Sequence, residues 1–161
     1  MKVKKKLFFN LLIISLIFLV DRLSKNFILH QNSNEPNFNL NITNFLDFNL
    51  VWNKGIAFGL LSFETNFLYN LTTLIILVII IFLIYLIYKE NSFSSYLYGF
   101  ICGGAIGNVF DRLNYGSVID FIDFNYNNFH WFIFNVADIF ITLGVFCLIF
   151  KEIFLNKKNE N

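Results

Sequence analysis

An ionisable side chain inside a membrane-length apolar stretch costs roughly 2.5 to 3.5 kcal/mol on insertion scales, so each one present demands a compensating role. Four aspartates of this 161-residue chain stand inside or beside such stretches: Asp21, Asp111, Asp120 and Asp138. Asn135, Asp138 and Thr142 are spaced three and four apart, which puts them on one helical face amid apolar neighbours, and that face must turn inward. Asp120 lies in Gly116-Ser117-Val118-Ile119-Asp120-Phe121, whose apolar residues can carry it back toward the membrane. Two carboxyls meeting in a poorly hydrated site cannot both ionise and hold one proton between them. The ionised member can take a proton from attacking water while the protonated one donates to the developing oxyanion, which is the chemistry of peptide hydrolysis. Two aspartates eighteen positions apart are by spacing alone a weak signal, so the pair stands here as one candidate.

The remaining polar residues divide between packing and support. Asp21 and Lys25 are four apart, acid before base, and can pair on one helix face, with substrate contact as the alternative. Gly99, Gly103, Gly107 and Asp111 recur at intervals of four, with Gly104, Asn108 and Arg112 on the next stripe. The glycines let another helix approach closely. Packing leaves Asn108, Asp111 and Arg112 unexplained, and they are expected to organise a polar site, Asp111 and Arg112 as supports. Cys102 and Cys147 lie in apolar segments with no CxxC partner, and His30 and His130 are isolated, so neither a metal site nor a cofactor is expected. Two rivals remain: a serine protease using Ser117 with His130, which lacks a buried serine beside a base, and a membrane carrier or channel lined by the intramembrane acids.

These residues need elements to position them, and the composition says which kind. The chain is 57% hydrophobic and 14% charged, outside the range of ordinary soluble domains, and its net charge of +1 offers nothing to nucleic acid. Crossing roughly 30 Å of hydrocarbon takes about 20 apolar residues. Four stretches come near that length, 7–29, 67–88, 93–112 and 131–150, so the expected fold is an all-α integral membrane protein of one domain with four transmembrane helices. Lys2, Lys4, Lys5 and Lys6 open the first like a secretory signal, but no small-residue cleavage site follows Val20, so a retained helix is expected. Eight of the twelve Lys and Arg flank the N-terminus, the short middle loop at Lys89 and the C-terminus, which makes those parts cytoplasmic. The polar residues and both tryptophans then face outward. In the first outer segment apolar and polar residues alternate from Phe38 to Asn53, the period of a small β-hairpin turning near Asn44. Asn41-Ile42-Thr43 also spells a glycosylation sequon, a coincidence in so Asn-rich a chain.

The blocks now in view resemble, in order, the motif set of the lipoprotein signal peptidases, also called signal peptidase II. Asp21 and Lys25 are similar to an Asp-x-x-x-Lys block, and Asn53-Lys54-Gly55-Ile56-Ala57-Phe58 to Asn-x-Gly-x-Ala-Phe. Gly103 to Arg112, then Gly116 to Phe121, resemble the next two, and Phe134-Asn135-Val136-Ala137-Asp138 the last. The resemblance implies four transmembrane helices with a small extracytoplasmic β-cradle, here about 38–60, and catalytic aspartates at Asp120 and Asp138. It implies a bacterial cytoplasmic (inner) membrane enzyme with its active site toward the outer face. The implied substrates are prolipoproteins whose cysteine carries diacylglycerol, cut just before that cysteine, and the implied inhibitor is globomycin. Asp21, Lys25, Asn53, Gly55, Ala57, Phe58, Gly104, Asn108, Asp111, Arg112, Val118, Phe121, Asn135 and Ala137 match substrate-binding or site-supporting positions, and membrane lipid is the other implied partner. Many members carry a proline between the Trp and the Phe-Asn block; His130-Trp131-Phe132-Ile133-Phe134 has none, which bears on how helix four begins. Asp123, three residues beyond Asp120, has no counterpart in the motif set and is expected to be dispensable.

Overall fold

The computed structural model describes residues 2–55, 66–127 and 129–156. Within them four α-helices and four strands follow in the order α1 (Lys2–Asn34), β1 (Asn39–Thr43), β2 (Leu46–Asn53), α2 (Asn66–Lys89), α3 (Ser94–Tyr115), β3 (Val118–Tyr126), β4 (Phe129–Phe134) and α4 (Val136–Phe150), which runs on into a π-helical turn at Lys151–Asn156.

Two of these helices, over Val3–Asn34 and Phe67–Lys89, are long and apolar enough to cross a membrane. Their large apolar side chains stay uncovered, Phe8 at 62% and Ile81 at 68% among many, a surface suited to lipid. Helix α3 lies at the centre and packs on each of the other three. Ile80, Leu83 and Ile87 of α2 meet Cys102, Ala105 and Val109 of α3 in an apolar core. Glycines permit the closest approaches: a Cβ at Gly103 would lie 3.2 Å from the Ile14 backbone, and one at Gly104 only 2.5 Å from the Ala137 carbonyl oxygen. At one end Lys6 Nζ donates to the Tyr88 and Glu90 carbonyls at 2.9 and 2.7 Å, placing a cation at the negative end of α2, and Lys151 bonds Ser92 and Ser94.

At the opposite end the four strands form one antiparallel sheet in the order β1-β2-β3-β4. The chain turns between Thr43 and Leu46, where the apolar alternation breaks. Register pairs Val51 with Asp120 and Asn53 with Val118 across β2 and β3. Ile28 of α1 packs with Phe38 and Phe121, joining helix to sheet.

Three sequence expectations change. The class is mostly helical with a four-stranded sheet rather than all-α with a lone hairpin, since the segment between α3 and α4 supplies β3 and β4. Residues 131–134, expected to start the fourth helix, belong to β4, and α4 begins at Val136. A short apolar aromatic run reads equally as strand or helix, and register with β3, Ile122 opposite Phe134, decides for strand. Asp138 therefore stands in the first turn of its helix and not two turns inside it.

Candidate active site

Helix α3 must end sharply for its polar tip to meet the sheet. Gly116 does this with φ of 66°, a left-handed cap that side-chain-bearing residues seldom adopt, and its N–H donates to the Arg112 carbonyl. Strand β3 starts two residues later and carries Asp120 inward. From the other side, Asn135 caps α4: its side-chain oxygen accepts from the Asp138 N–H at 3.0 Å, and Asp138 Oδ2 accepts from the Asn135 N–H at 3.2 Å. This reciprocal cap fixes the Asp138 carboxyl beside Asn135.

Asn135 Nδ2 also donates to Asp120 Oδ1 at 2.6 Å, so one residue bridges both aspartates. Asn53 Nδ2 donates to Asp120 Oδ2 at 2.7 Å, and Asn108 Nδ2 to Asp138 Oδ1 at 2.8 Å. Each amide has its orientation dictated by what its oxygen must accept. The Asn53 oxygen takes the Gly55 N–H, the Asn135 oxygen the Asp138 N–H, and the Asn108 oxygen the Lys25 ammonium, so all three NH2 groups face carboxylates.

Both aspartates line one cavity of about 490 Å³ together with Asn53, Gly55, Asn108, Arg112 and Val118. Its remaining walls are largely aliphatic, from Ile75, Ile76 and Ile79 of α2 to Ile101 and Ile141. Asp120 is 1% exposed and Asp138 8%. Burial, then the negative charge of Asp138, push the Asp120 carboxyl up to about 7 against the hydrogen bonds from Asn53 and Asn135. A carboxyl so placed can hold a proton at neutral pH while its neighbour is ionised.

Beneath this pair lies a cluster of opposite charges. Lys25 Nζ sits 3.0 Å from Asp21 and 2.7 Å from Asp111, and Arg22 bonds the same two acids at 2.6 Å each. The acids have a second duty. Asp21 Oδ1 accepts from the Ala137 N–H in the first turn of α4, and Asp111 Oδ2 from the Ile119 N–H next to Asp120. The cluster thus grips the backbone one residue away from each cavity aspartate. Arg112 instead donates to the Gly55 carbonyl at 2.6 Å, reaches Thr72 on α2, and lies over the Tyr69 ring at 4.7 Å, tying the Asn53–Gly55 turn to the bundle.

Among the expected site residues, Asp21, Lys25, Asn53, Gly55, Asn108, Asp111, Arg112, Val118, Asn135 and Ala137 meet at or directly around the two aspartates, and Gly104 admits the Ala137 carbonyl. Phe121 does not: it turns to the α1–sheet core, edge-on to Phe48 at 5.8 Å. Ala57 and Phe58 lie outside the described residues. Arg22, absent from the expected set, joins the cluster; a second charge one position from Asp21 in an apolar helix is the same signal as Lys25. Thr72 went unnoticed, having only a hydroxyl to mark it. Asp123 accepts from Asn49 and is 2.7 Å from His130 Nδ1, on no wall of the cavity. The Ser117 hydroxyl donates to the Tyr115 carbonyl rather than to His130, so no serine–histidine pair forms.

The comparisons with known proteins converge on one family. The family described as signal peptidase (SPase) II matches residues 13–154. The chain is 48% identical over 157 residues to a lipoprotein signal peptidase of Pelagibacter ubique (strain HTCC1062), covering 98% of this chain and 95% of that one. To the lipoprotein signal peptidase of Rickettsia typhi (strain ATCC VR-144 / Wilmington) it is 37% identical, covering 96% and 81%. A bacterial membrane enzyme solved by the in meso method at 2.3 Å resolution superposes with a TM-score of 0.78 at 29% identity over 94% of this chain and 91% of the other. A match spanning nearly the whole chain in sequence and in fold places it: the chain belongs to the signal peptidase II family.

Proposed function

We propose that this protein is an aspartic endopeptidase of the bacterial cytoplasmic membrane that removes signal peptides from diacylglyceryl-modified prolipoproteins, cutting before the lipidated cysteine. The observation that carries the reading is the convergence of Asp120 and Asp138 on one aliphatic cavity, bridged by Asn135 and held by amides whose donors all face them. The pair shares a proton. Its ionised member draws a proton from water as the oxygen attacks the scissile carbonyl, and its protonated member donates to the oxyanion. Collapse of the tetrahedral intermediate releases the amine of the cysteine, which takes a proton from the pair, and the starting state is restored.

Supporting residues keep this geometry without touching the reacting atoms. Asp21 and Asp111 hold the Ala137 and Ile119 backbones, and Arg112 holds Gly55 at the cavity rim. In this reading all four helices span the bilayer, both termini are cytoplasmic, and the sheet lies outside with the aspartates just beneath the outer interface. The aliphatic wall of α2 then faces the apolar signal segment, and globomycin-like inhibitors compete for the same cavity. The test is incubation of purified protein with a diacylglyceryl-modified precursor and with its unlipidated control. Cleavage of the lipidated chain alone, one bond before the cysteine, is expected; equal cleavage of the control, or none of either, defeats the reading.

A further inference from the structure

Asp120 borders a second cavity. This one, of about 460 Å³, is bounded by Val51 to Gly55 at the end of β2 and by His130 to Ile133 of β4. It shares Asn53, Gly55 and Asp120 with the first cavity, so Asp120 lines both. Their walls differ in kind. The first is built from Ile side chains of the helices; the second is built by the sheet and carries Trp52, Trp131, His130 and Lys54.

We propose that this second cavity is the subsite for the first residues of the mature chain after the lipidated cysteine, and that Lys54 makes it favour an acidic side chain there. The proposal rests on the aspartic-peptidase reading, because it takes the scissile bond to lie at Asp120. A substrate crossing that point has an apolar signal segment on one side and a water-soluble chain on the other. The apolar part matches the helix-walled cavity, which leaves the sheet-walled cavity for the polar part. Trp52 and Trp131, 45% and 61% exposed, offer aromatic surface at low entropic cost to an extended peptide. Of the polar groups around the cavity, the His130 ring is held by Asp123 at 2.7 Å and Asp120 belongs to the proton-sharing pair. Among the described residues lining the cavity, exposed Lys54 is then the cation left to select what enters.

The test uses the purified full-length protein and three diacylglyceryl-modified precursors that differ only in having Asp, Asn or Lys immediately after the cysteine. The order Asp, Asn, Lys is expected in kcat/KM, spread over about 5-fold at low ionic strength and compressed by salt, as for a pair in partial contact with water. In Lys54→Glu the order reverses, and in Lys54→Gln the spread shrinks below about 2-fold. Equal cleavage of the three precursors by the wild type, or an order unchanged in Lys54→Glu, overturns the subsite and leaves the aspartate pair standing. Failure to cleave any of them overturns both.

Discussion

Four buried aspartates form two adjacent clusters of opposite make-up. Asp21 and Asp111 are matched charge for charge by Lys25 and Arg22 at 2.6 to 3.0 Å. Asp120 and Asp138, one residue along the chain from backbone groups that the first cluster holds, accept from amides alone, and no salt bridge engages either among the described residues. The charge-matched cluster has its carboxylates engaged by two cations and two backbone N–H groups, the make-up of an anchor. The amide-held pair keeps its mutual repulsion, and in the proposed reaction the proton that relieves it is the one used. Proximity of acids does not distinguish the two clusters; what compensates them does.

Removing a carboxyl from the amide-held pair breaks this contrast most severely. Asp120→Asn or Asp138→Asn abolishes the shared proton with little change of shape, and cleavage of a lipidated precursor, scored by mobility shift, is expected to fall about 10³-fold or more. Processing at the wild-type rate by either variant would end the account. In the charge-matched cluster the loss should appear as stability. Lys25→Met leaves Asp21 and Asp111 sharing one cation in a site where Lys25 is itself fully buried, at a cost of about 3 to 5 kcal/mol, read as a lowered unfolding midpoint in detergent. A fully stable Lys25→Met protein would show that the cluster is no anchor.

Gly104→Ala tests whether the anchor's precision reaches the pair. Its new methyl would stand 2.5 Å from the Ala137 carbonyl and 2.8 Å from Ile141, and must push α4 away just before Asp138. Overpacking of this kind costs about 1 to 3 kcal/mol. A fall in kcat of about 10-fold or more is expected, with a smaller change in KM, and an unaltered kcat would mean the pair tolerates a shifted α4.

The pH profile sharpens the same contrast. The Asp120 carboxyl, pushed up to about 7 by burial and by Asp138, keeps its proton through pH 6 and loses it as pH rises past 7. Above that value the pair no longer holds this proton, the donor to the oxyanion is gone, and kcat/KM should fall about tenfold per pH unit. The apparent value belongs to the pair. A rate flat from pH 6 to 9 would contradict a shared proton.

The sequence made the anchor and the pair unequally visible. Asp21 with Lys25, and Asp138 with Asn135, are readable from helical spacing because an acid in an apolar helix stands out against its neighbours. Asp120 stands out less: it sits on a strand, its spacing from Asp138 is a weak signal, and the resemblance carried by Gly116 to Phe121 supplied the rest. The strands that deliver it were hidden as well. Phe129–Phe134 is apolar at every position but His130, so its period says nothing, and its pairing with β3 is a contact between segments that no local pattern records. Arg22, whose head group bonds Gly107 of α3 as well as both acids, shows a further gap, since its partners on α3, Gly107 and Asp111, lie 85 and 89 positions away.

Asp123 supplies the smallest expected effect and the strictest control. It is as buried as Asp21, lies three residues from Asp120, and faces Asp47 across the β2–β3 ladder, so burial, sequence proximity and a neighbouring acid would all nominate it for chemistry. Its partners say otherwise. Asn49 and His130 occupy Oδ2, Asp47 is separately satisfied by Asn41 and Asn125, and neither acid borders the cavity of Asp120 and Asp138. In Asp123→Asn a carbonyl oxygen remains to accept from one donor, and cleavage of a precursor with a neutral residue after the cysteine should stay within about 3-fold of wild type, with at most about 1 to 2 kcal/mol lost in stability. A drop comparable to that of Asp120→Asn would mean that burial of an acid in the sheet is itself sufficient for a role in the reaction, and the distinction between amide-held and otherwise compensated aspartates would lose its force.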